Sequence, residues 1–456
     1  MRLAELEGRR VAVWGHGREG RAALSVLRRK FAGQSITLFC SAAEAATIGP
    51  DGEGVDIVTT APDAEKLSAF DIVIKSPGIS PYREPYPSAE KSGVRFTSGT
   101  ALWFAEHAGA KTICVTGTKG KSTVTALIAH LLRAGGTRVA LAGNIGLPLL
   151  ELLAPEAEPD WWVIELSSFQ TRDFGGEPTV AVINNLLEEH LDWHGDMARY
   201  HVDKLKILGE SAAGIAVLNA ADRVVGSIRV PHKIVWFNAN DGWHARDDSI
   251  FCGGEKILAL AQIPLPGPHN AQNVCAALAA IDAAGIDARA LAQHVATFKA
   301  LPHRLQRLGV RDGIEYVNDS ISTTPYAAIE ALRSLAAREV TILVGGFDRG
   351  VSWQPFAQHV AAHPSHAIVA MGANRVKVAD ALRAVAHGAA FESVPTLADA
   401  VARASALTRA GGVVLLSPGA PSFDQFHDYA ERGREFARLT GFDAKGIARI
   451  EGLGIA

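Results

Sequence analysis

The 456-residue chain is poor in cysteine, close to neutral in charge and without a long uninterrupted hydrophobic run. Its four cysteines lie far apart with no C-x-x-C spacing, so neither a zinc knuckle nor a disulfide scaffold is expected. Lys and Arg number 45 against 48 Asp and Glu, which leaves a formal charge of −3 and no electrostatic footprint for nucleic acid or an anionic membrane. Because no apolar run reaches about 18 residues, no membrane span is expected.

The first residues, MRLAELEG, lack the apolar segment of a secretory signal and carry acidic side chains. Hydrophobic residues make up 48% of the chain and charged residues 20%, as in globular proteins rather than disordered ones. We therefore expect a cytoplasmic, monomeric protein whose partners are small molecules.

Short β-branched runs alternate with helix-length amphipathic stretches along nearly the whole chain, which is the pattern of βα units on parallel sheets. Loops rich in Gly, Ser and Pro near residues 99 and 303 separate three such runs. The sequence thus predicts an α/β fold of three domains, residues 1–99, 100–303 and 304–456, each built on a mainly parallel sheet. The predicted strands are 10–14, 35–39, 71–74, 112–116, 138–141, 162–166, 179–183, 215–218, 234–237, 314–317, 340–344, 367–370 and 413–416, and the longer predicted helices are 18–29, 122–133, 197–209 and 270–284.

A glycine-rich loop follows the predicted strand 112–116 and opens a helix, which is the context of a phosphate-binding P-loop. It consists of Gly117, Thr118, Lys119, Gly120, Lys121, Ser122 and Thr123. The loop is one residue shorter than the common form, and the alternative is a βα turn that binds nothing. With Lys-Ser-Thr in place after the second glycine, the sequence predicts a nucleoside triphosphate site, with Lys121 on the phosphates and the Ser122 hydroxyl on Mg²⁺. The central domain is therefore expected to be P-loop ATPase-like.

A second glycine pattern, Gly-x-Gly-x-x-Gly at residues 15–20, lies between a strand and a helix and fits a Rossmann-like first domain. A dinucleotide site would need an acid about 20 residues later to hold a ribose hydroxyl. The second strand ends instead at Phe39, Cys40 and Ser41. This departure argues against an NAD-dependent dehydrogenase.

Together with the P-loop, several further motifs resemble those of the Mur ligases, the amide-forming enzymes of peptidoglycan synthesis, over essentially the whole chain. They are residues 143–146 (GNIG), 165–170 (ELSSFQ), 185–192 (NLLEEHLD), 267–273 (GPHNAQN), 302–304 (PHR), 318–320 (NDS) and 417–426 (SPGAPSFDQF). Asp424, Gln425 and the first glycine pattern are similar to the glutamate-adding MurD type. The resemblance implies a Rossmann-like UDP-sugar domain, the central ATP domain and a Rossmann-like C-terminal domain for the amino acid.

The resemblance implies an ATP-dependent ligase that joins glutamate to UDP-N-acetylmuramoyl-L-alanine through an acyl-phosphate and releases ADP and phosphate. By the same resemblance, two Mg²⁺ ions are held by Ser122, Glu165, His190 and a carbamylated Lys204, the lysine four residues after Tyr200. Lys121, His190 and Lys204 are then the catalytic set. Asn273 would contact the base of ATP, and Arg304 and Asp319 its phosphates and ribose. From the residues alone, Glu165 could equally be an ion pair, His190 a surface histidine and Lys204 part of a solvated helix face.

For the UDP-sugar, the resemblance implies contacts from the loops after the predicted strands 10–14, 35–39 and 71–74 of the first domain and from the central domain. They are Gly15, His16, Gly17, Arg18, Cys40, Ser41, Ser76, Pro77, Gly78, Asn144, Ser167 and Gln170.

The amino-acid pocket matches the glutamate-adding type less well. Thr323, Arg349, Ser422, Phe423 and Tyr429 fit it, and the cation and hydroxyls favour an acidic amino acid. However, Ile321 stands where the glutamate-adding type usually has a lysine. D-glutamate is the family default, and the altered 321–325 segment makes L-glutamate a rival.

Other functions remain open at this level. A folylpolyglutamate-type ligase would lack the UDP-sugar domain, and the diaminopimelate-adding Mur ligase usually carries an Asp-Asn-Pro-Arg string that this chain does not have. A nucleotide-switched binding protein would keep the P-loop without needing Glu165, His190, Lys204 and Asp319 at one site.

Overall fold

The computed structural model describes residues 1–46, 48–49, 52–363, 367–385 and 388–456. The chain divides into two compact units. The first consists of Met1–Gln262, Ala271–Ala296 and Gly452–Ala456, and the second of Ile263–Asn270 and Thr297–Glu451. No helix among the described residues combines the length and the apolar character that crossing a membrane requires.

Strands and helices alternate along most of the described chain. The strands are β1 Val11–Trp14, β2 Ile36–Phe39, β3 Val55–Val58, β4 Ile72–Lys75, β5 Arg95–Thr97, β6 Thr112–Thr116, β7 Val139–Gly143, β8 Trp161–Glu165, β9 Val180–Ile183, β10 Ile215–Asn219, β11 Lys233–Phe237, β12 Trp243–Arg246, β13 Ser249–Cys252, β14 Glu255–Ala259, β15 Gln306–Arg311, β16 Ile314–Asn318, β17 Val340–Val344, β18 Ala367–Ala370, β19 Phe391–Ser393, β20 Val413–Leu416 and β21 Gly454–Ile455. The α-helices are α1 Arg18–Lys30, α2 Ala42–Ala45, α3 Ala64–Ser68, α4 Tyr86–Lys91, α5 Gly99–Glu106, α6 Lys121–Ala134, α7 Ser168–Arg172, α8 Leu191–His194, α9 Met197–Leu205, α10 Pro268–Ala283, α11 Ala288–Leu291, α12 Pro325–Ser334, α13 Gln354–Ala362, α14 Arg375–Arg383, α15 Leu397–Leu407 and α16 Tyr429–Leu439.

The strands form three sheets. The first, in the order β3-β2-β1-β4-β5, is parallel throughout. The second, in the order β14-β13-β12-β11-β10-β9-β6-β8-β7-β21, is parallel from β12 to β7 and antiparallel at both edges. The third, in the order β15-β16-β20-β17-β18-β19, is parallel except for β15. The three mainly parallel sheets confirm the α/β prediction.

Parallel sheets are covered by helices on both faces, and their strands are accordingly apolar and buried. All five residues of β6 and all five of β8 are buried. In the first unit, one core joins both sheets through α5, where the Trp103 ring lies 4.6 Å from that of Trp162. Separate apolar clusters cover the two faces of the third sheet.

Most predicted elements are confirmed to within a few residues, and strands 112–116, 340–344, 367–370 and 413–416 match to the residue. The helix predicted at 197–209 ends at Leu205 and continues as the short 3₁₀ helix Lys206–Leu208. The strands β3, β5, β12 to β15, β19 and β21 were not predicted. The division into three domains at residues 99 and 303 stays a prediction.

The edge strand β21 is held by a single side chain as well as by its pairing with β7. The Arg133 guanidinium donates hydrogen bonds to the carbonyls of Gly452 (2.6 Å), Gly454 (2.9 Å) and Val139 (2.7 Å). Removing it would leave three carbonyls without their charged donor.

We expect Arg133→Ala to lower the free energy of unfolding by about 2 kcal/mol, seen as a fall of a few degrees in Tm. The matched control is Lys256→Ala, since Lys256 forms only an exposed ion pair with Asp248. That change should cost less than about 1 kcal/mol. Equal Tm values for the two variants would contradict the role given to Arg133.

Candidate active site

The P-loop lies between β6 and α6, and its two glycines have backbone angles that L side chains rarely adopt. Gly117 has φ +147° and Gly120 has φ +81°. A Cβ on Gly117 would lie 2.9 Å from that of Asn184, and one on Gly120 would collide with Asn273 Oδ1. Glycine is therefore required at both positions, and the predicted Asn273 lies against the loop.

The segment after β9 folds onto the P-loop and fixes it. The Thr118 N–H donates to the Asn185 carbonyl (2.9 Å), and the Lys119 N–H donates to Asn185 Oδ1 (2.7 Å). The Thr118 hydroxyl lies 2.7 Å from the Tyr200 hydroxyl. Lys121 Nζ donates to the Thr118 carbonyl (3.0 Å), so its ammonium lies over the loop. The loop thus keeps its shape through side chains from two other segments.

Lys204 lies beneath this loop, not on a solvated helix face. Its side chain is fully buried, and Nζ donates to the Gly117 carbonyl (2.8 Å) and to Thr116 Oγ1 (3.3 Å). Burial, together with the nearby Lys121 ammonium, holds the pKa of the Lys204 amine well below its usual value. A low pKa favours the neutral, nucleophilic form of the amine.

Glu165 ends β8 and is 1% exposed. Its Oε1 accepts a hydrogen bond from Asn144 Nδ2 (2.7 Å), but its buried Oε2 has no hydrogen-bond partner among the described residues. A buried carboxylate oxygen is costly unless a donor or cation satisfies it. The Glu165 carboxylate is also close enough to Lys204 to affect its titration.

His190 immediately precedes α8 in a left-handed conformation (φ +58°), and its side chain is 45% exposed. Its ring lies 4.8 Å from that of Phe169. Burial lowers the pKa of His190, while the neighbouring Glu189 carboxylate opposes this shift. The imidazole is thereby favoured in the neutral form, which is the form that binds metals.

These residues suit a divalent cation. In the described part of the chain, no three His, Cys, Asp or Glu side chains gather in a metal-binding cluster. The candidate ligands are instead of mixed type, with the unsatisfied Glu165 oxygen, the neutral imidazole of His190 and Ser122 at the start of α6. The unsatisfied, buried Glu165 oxygen is the observation that fits Mg²⁺, because this cation prefers oxygen ligands.

A cavity of about 130 Å³ lies beside the first glycine pattern. Its lining residues are Arg18, Glu19, Pro77, Gly143, Asn144, Gly146, Pro148 and Gln170. Four residues predicted to contact the UDP-sugar, from separate parts of the chain, are thus brought together. The remaining predicted positions lie on four loops, β1–α1, β2–α2, β4–α4 and β8–α7. They are Gly15, His16, Gly17, Cys40, Ser41, Ser76, Gly78 and Ser167.

Two local arrangements shape this cavity. Ser167 and Gln170 form the capping box of α7, so Gln170 Oε1 accepts from the Ser167 N–H (3.0 Å) and its Nε2 donates to Glu19 Oε1 (2.9 Å). Burial raises the pKa of the Glu19 carboxyl to about 7. Glu19 was not predicted from the sequence, because it occupies one of the unspecified x positions of the Gly-x-Gly-x-x-Gly pattern.

Ser41 has a local structural role, since it caps α2 in a capping box with Glu44. Burial raises the pKa of the adjacent Cys40 thiol, and the Glu44 carboxylate adds to that shift.

In the second unit, the predicted amino-acid residues lie after neighbouring strands of the third sheet. Thr323 follows β16, Arg349 follows β17, and Ser422 and Phe423 follow β20. The Arg349 guanidinium lies 5.8 Å from the centre of the Phe423 ring, which pairs edge-on with Phe347 at 6.2 Å. Tyr429, the first residue of α16, is connected to the 319–325 loop because the Ser320 hydroxyl donates to its carbonyl (2.7 Å).

A buried arginine that sequence reasoning missed joins two of these loops. Arg432 donates hydrogen bonds to Ser320 Oγ (3.0 Å), to the Ser320 carbonyl (2.8 Å) and to the Ala420 carbonyl (3.0 Å). Burial lowers the pKa of its guanidinium to about 10. Arg432 therefore connects the 319–325 loop to the loop that carries Ser422 and Phe423.

Asp319, the residue after β16, is buried and accepts two hydrogen bonds, from the Leu305 N–H (3.1 Å) and the Ser417 hydroxyl (2.7 Å). Burial raises the pKa of Asp319 to about 7, although the Arg304 and Arg432 guanidinium groups oppose this shift. Arg304 and Asp319 thus act on each other within the second unit.

The raised pKa of Asp319 predicts a pH-dependent stability. Between pH values of about 4 and 7 the folded chain keeps a proton that the unfolded chain releases, so its stability should fall as pH rises through this window. We expect Asp319→Asn to flatten the dependence of Tm on pH between these values. Compared with the unmodified chain at the same pH, the variant should be most stable at pH 8. The exposed Asp312→Asn serves as control, and identical slopes in both variants would contradict the assignment.

Comparison with known proteins agrees with this geometry. The family model described as Mur ligase middle domain matches residues 115–281, and the model described as Mur ligase, glutamate ligase domain matches residues 303–419. A protein of Xanthomonas euvesicatoria pv. vesicatoria (strain 85-10) named UDP-N-acetylmuramoyl-L-alanine--L-glutamate ligase is 52% identical, with 100% of both chains covered. A protein of the same name from Salinispora tropica is 38% identical over 96% of this chain and 99% of its own length.

Two solved structures share the fold. UDP-N-acetylmuramate-alanine ligase MurC from Thermotoga maritima has a TM-score of 0.60 at 18% identity, with 95% of this chain and 99% of that chain covered. The MurF ligase from the same organism, in complex with ADP, has a TM-score of 0.58 at 14% identity, with 97% and 96% covered. With two family models over more than half of its length and relatives matched from end to end, the chain belongs to the Mur ligase family.

Proposed function

We propose that this Mur ligase joins L-glutamate to UDP-N-acetylmuramoyl-L-alanine. ATP-dependent ligation of glutamate to this acceptor follows from the family models and the full-length relatives. The proposal adds the isomer, the metal ions and the role of each residue. The observation that supports the chemistry best is the group of Lys121, Lys204 and the unsatisfied Glu165 oxygen around one P-loop.

Amide formation from a carboxylate needs an activated acyl group, because oxide is too poor a leaving group. The γ-phosphoryl group of ATP passes to the acceptor carboxylate and ADP leaves. The neutral amine of glutamate then attacks the acyl-phosphate and loses a proton, and the tetrahedral intermediate releases phosphate to form the amide. Lys121 and the N-terminus of α6 stabilise the charge that builds up on the phosphoryl oxygens. Asn273 is assigned to the base, and Arg304 and Asp319 are assigned to the phosphates and ribose of ATP.

Glu165, Ser122, His190 and a carbamylated Lys204 would hold Mg²⁺, which when bound neutralises charge on the phosphates and the acceptor carboxylate. The low pKa of Lys204 supports carbamylation, since only the neutral amine reacts with CO₂. The carbamate would replace the buried amine by an anionic oxygen ligand next to Glu165.

The acceptor binds at the cavity beside α1. The N-terminus of α1 and Arg18 suit the diphosphate, because helix N-termini and guanidinium groups both favour anions. Asn144 and Gln170 line the same cavity, and Asn144 also contacts Glu165. We therefore place the acceptor's reactive end toward the P-loop, in line with the proposed UDP-sugar domain (1–99) and ATP domain (100–303).

The L isomer is proposed on two grounds. The relatives from Xanthomonas and Salinispora carry L-glutamate in their names. In this chain, the segment where the glutamate-adding type usually has its lysine carries Ile321, and Thr324 and Pro325 form the cap and first residue of α12 instead. Arg349 is then the exposed cation for the side-chain carboxylate, with Thr323, Ser422, Phe423 and Tyr429 around the bound amino acid.

The proposed isomer is tested by phosphate release with ATP, Mg²⁺ and UDP-N-acetylmuramoyl-L-alanine. We expect kcat/KM for L-glutamate to exceed that for D-glutamate by about tenfold or more, a difference of about 1.4 kcal/mol in transition-state binding. Ile321→Lys should lower that ratio, whereas Val310→Lys, an exposed apolar-to-lysine change on β15, should not. Turnover with D-glutamate alone would refute the L isomer while leaving the ligase intact.

The P-loop assignment is tested by Lys121→Ala. Removing the ammonium should reduce kcat by about 100-fold or more, because its charge stabilises the transferring phosphoryl group. Lys111→Ala, an exposed lysine just before β6, is the matched control and should keep wild-type activity. Full activity of the Lys121 variant would overturn the assignment.

A further inference from the structure

Asp203 is a buried carboxylate on α9 that has no part in the chemistry above. It is 1% exposed, and its two oxygens both lie 2.8 Å from the Tyr82 hydroxyl. His194 Nδ1 lies 2.8 Å from Asp203 Oδ2 and donates to it, because a carboxylate only accepts. The Arg172 guanidinium lies 3.7 Å away. Tyr82 and His194 therefore donate to this side chain from two different segments. The Arg172 guanidinium, which donates to the Tyr82 hydroxyl (2.9 Å), adds a positive charge beside it.

The chain of contacts continues beyond His194, whose Nε2 lies 3.0 Å from the Ser168 hydroxyl. Ser168, His194 and Asp203 are connected in the same order as a catalytic triad. All three side chains are sealed from solvent, however, so no substrate reaches the serine. The arrangement fixes α7, α8 and α9 relative to one another.

Asp203 and Lys204 are consecutive residues of α9 that contact different parts of the site. Lys204 donates to the Gly117 carbonyl of the P-loop. Asp203 accepts from Tyr82, at the end of the loop after β4 that carries the predicted UDP-sugar residues Ser76, Pro77 and Gly78. We call residues 76–82 the acceptor loop.

The acceptor loop also contacts α8, which directly follows His190. The Trp193 indole donates to the Gly78 carbonyl (3.0 Å), and the Ser80 hydroxyl donates to the Trp193 carbonyl (2.7 Å). Phe169 stacks on Trp193 at 4.6 Å and contacts His190 at 4.8 Å. The acceptor loop and the two candidate metal-binding segments are thus connected through side chains.

We propose that Asp203 is a positioning residue, which holds the acceptor loop and α9 together so that the UDP-sugar and Lys204 are placed by one buried carboxylate. The proposal rests on the functions proposed for the acceptor loop and Lys204. A carboxylate suits this role because it accepts from several donors at once, whereas an amide in its place would turn an N–H toward one of them. Burial and the Asp203 charge raise the pKa of Tyr82 to about 12, so its hydroxyl stays a donor at neutral pH.

The main test is Asp203→Asn, measured by steady-state kinetics in all three substrates. We expect KM for the UDP-sugar to rise about fivefold, because the loop loses its anchor, and kcat to fall about tenfold, because Lys204 shifts. KM for glutamate, whose predicted pocket lies in the other unit, should stay within about twofold. Asp196→Asn is the matched control on the same helix, since asparagine also serves as an N-cap.

Tyr82→Phe tests the same link without touching α9 and keeps the proposal falsifiable if Asp203→Asn folds poorly. It should raise KM for the UDP-sugar about threefold with little change in kcat. In the double variant, KM should equal that of Asp203→Asn alone, because both changes break one link.

Unchanged KM for the UDP-sugar in Asp203→Asn and Tyr82→Phe, with turnover reduced in proportion to the folded fraction, would overturn the proposal. The proposal would also be overturned if the effects of Asp203→Asn and Tyr82→Phe on KM for the UDP-sugar multiplied in the double variant. These outcomes are distinct from failure of the proposed function, which would appear as absent ligation in the unmodified chain.

Discussion

The burial of the Lys204 amine beneath the P-loop is the constraint on which the candidate active site depends. A buried amine without water needs acceptors for its N–H groups, and here the Gly117 carbonyl and Thr116 Oγ1 supply them. This contact requires α9 to lie against the end of β6. It also leaves the amine with a lowered pKa beside the unsatisfied Glu165 oxygen. The lowered pKa of this amine thus follows from the way α9 packs.

The second unit also buries a basic side chain that donates to backbone carbonyls. Arg432 is buried beneath the loops that carry the amino-acid residues, and it is satisfied by carbonyls and by Ser320 rather than by a direct ion pair. Buried polar networks of this kind are stable only when their members are satisfied, and they then fix one loop arrangement. Polar side chains in both units therefore shape loops at the carboxyl ends of parallel strands, where ligands bind in open α/β sheets.

Local signals account for what was correctly predicted. The P-loop is readable because an apolar strand, two glycines and a helix start are adjacent in the sequence, and each has its own physical reason. The strands β12 to β14 were missed because they pair with one another in an antiparallel ladder and carry polar residues, although β12 also pairs in parallel with β11. The edge strand β21 was also not predicted, since its pairing joins Gly454 to Leu141, far apart in the chain.

The α/β class, the position of the P-loop and the Mur ligase family could be read from local patterns and motifs, whereas the candidate contacts stay predictions. Only the tertiary structure showed that Glu19 faces Gln170 in the cavity, that Arg432 connects two loops and that Asp203 accepts from Tyr82. These partners are separated by 151, 112 and 121 residues. Helix and strand propensities act over a few neighbours, whereas the burial of a charged side chain depends on which distant segments fold around it.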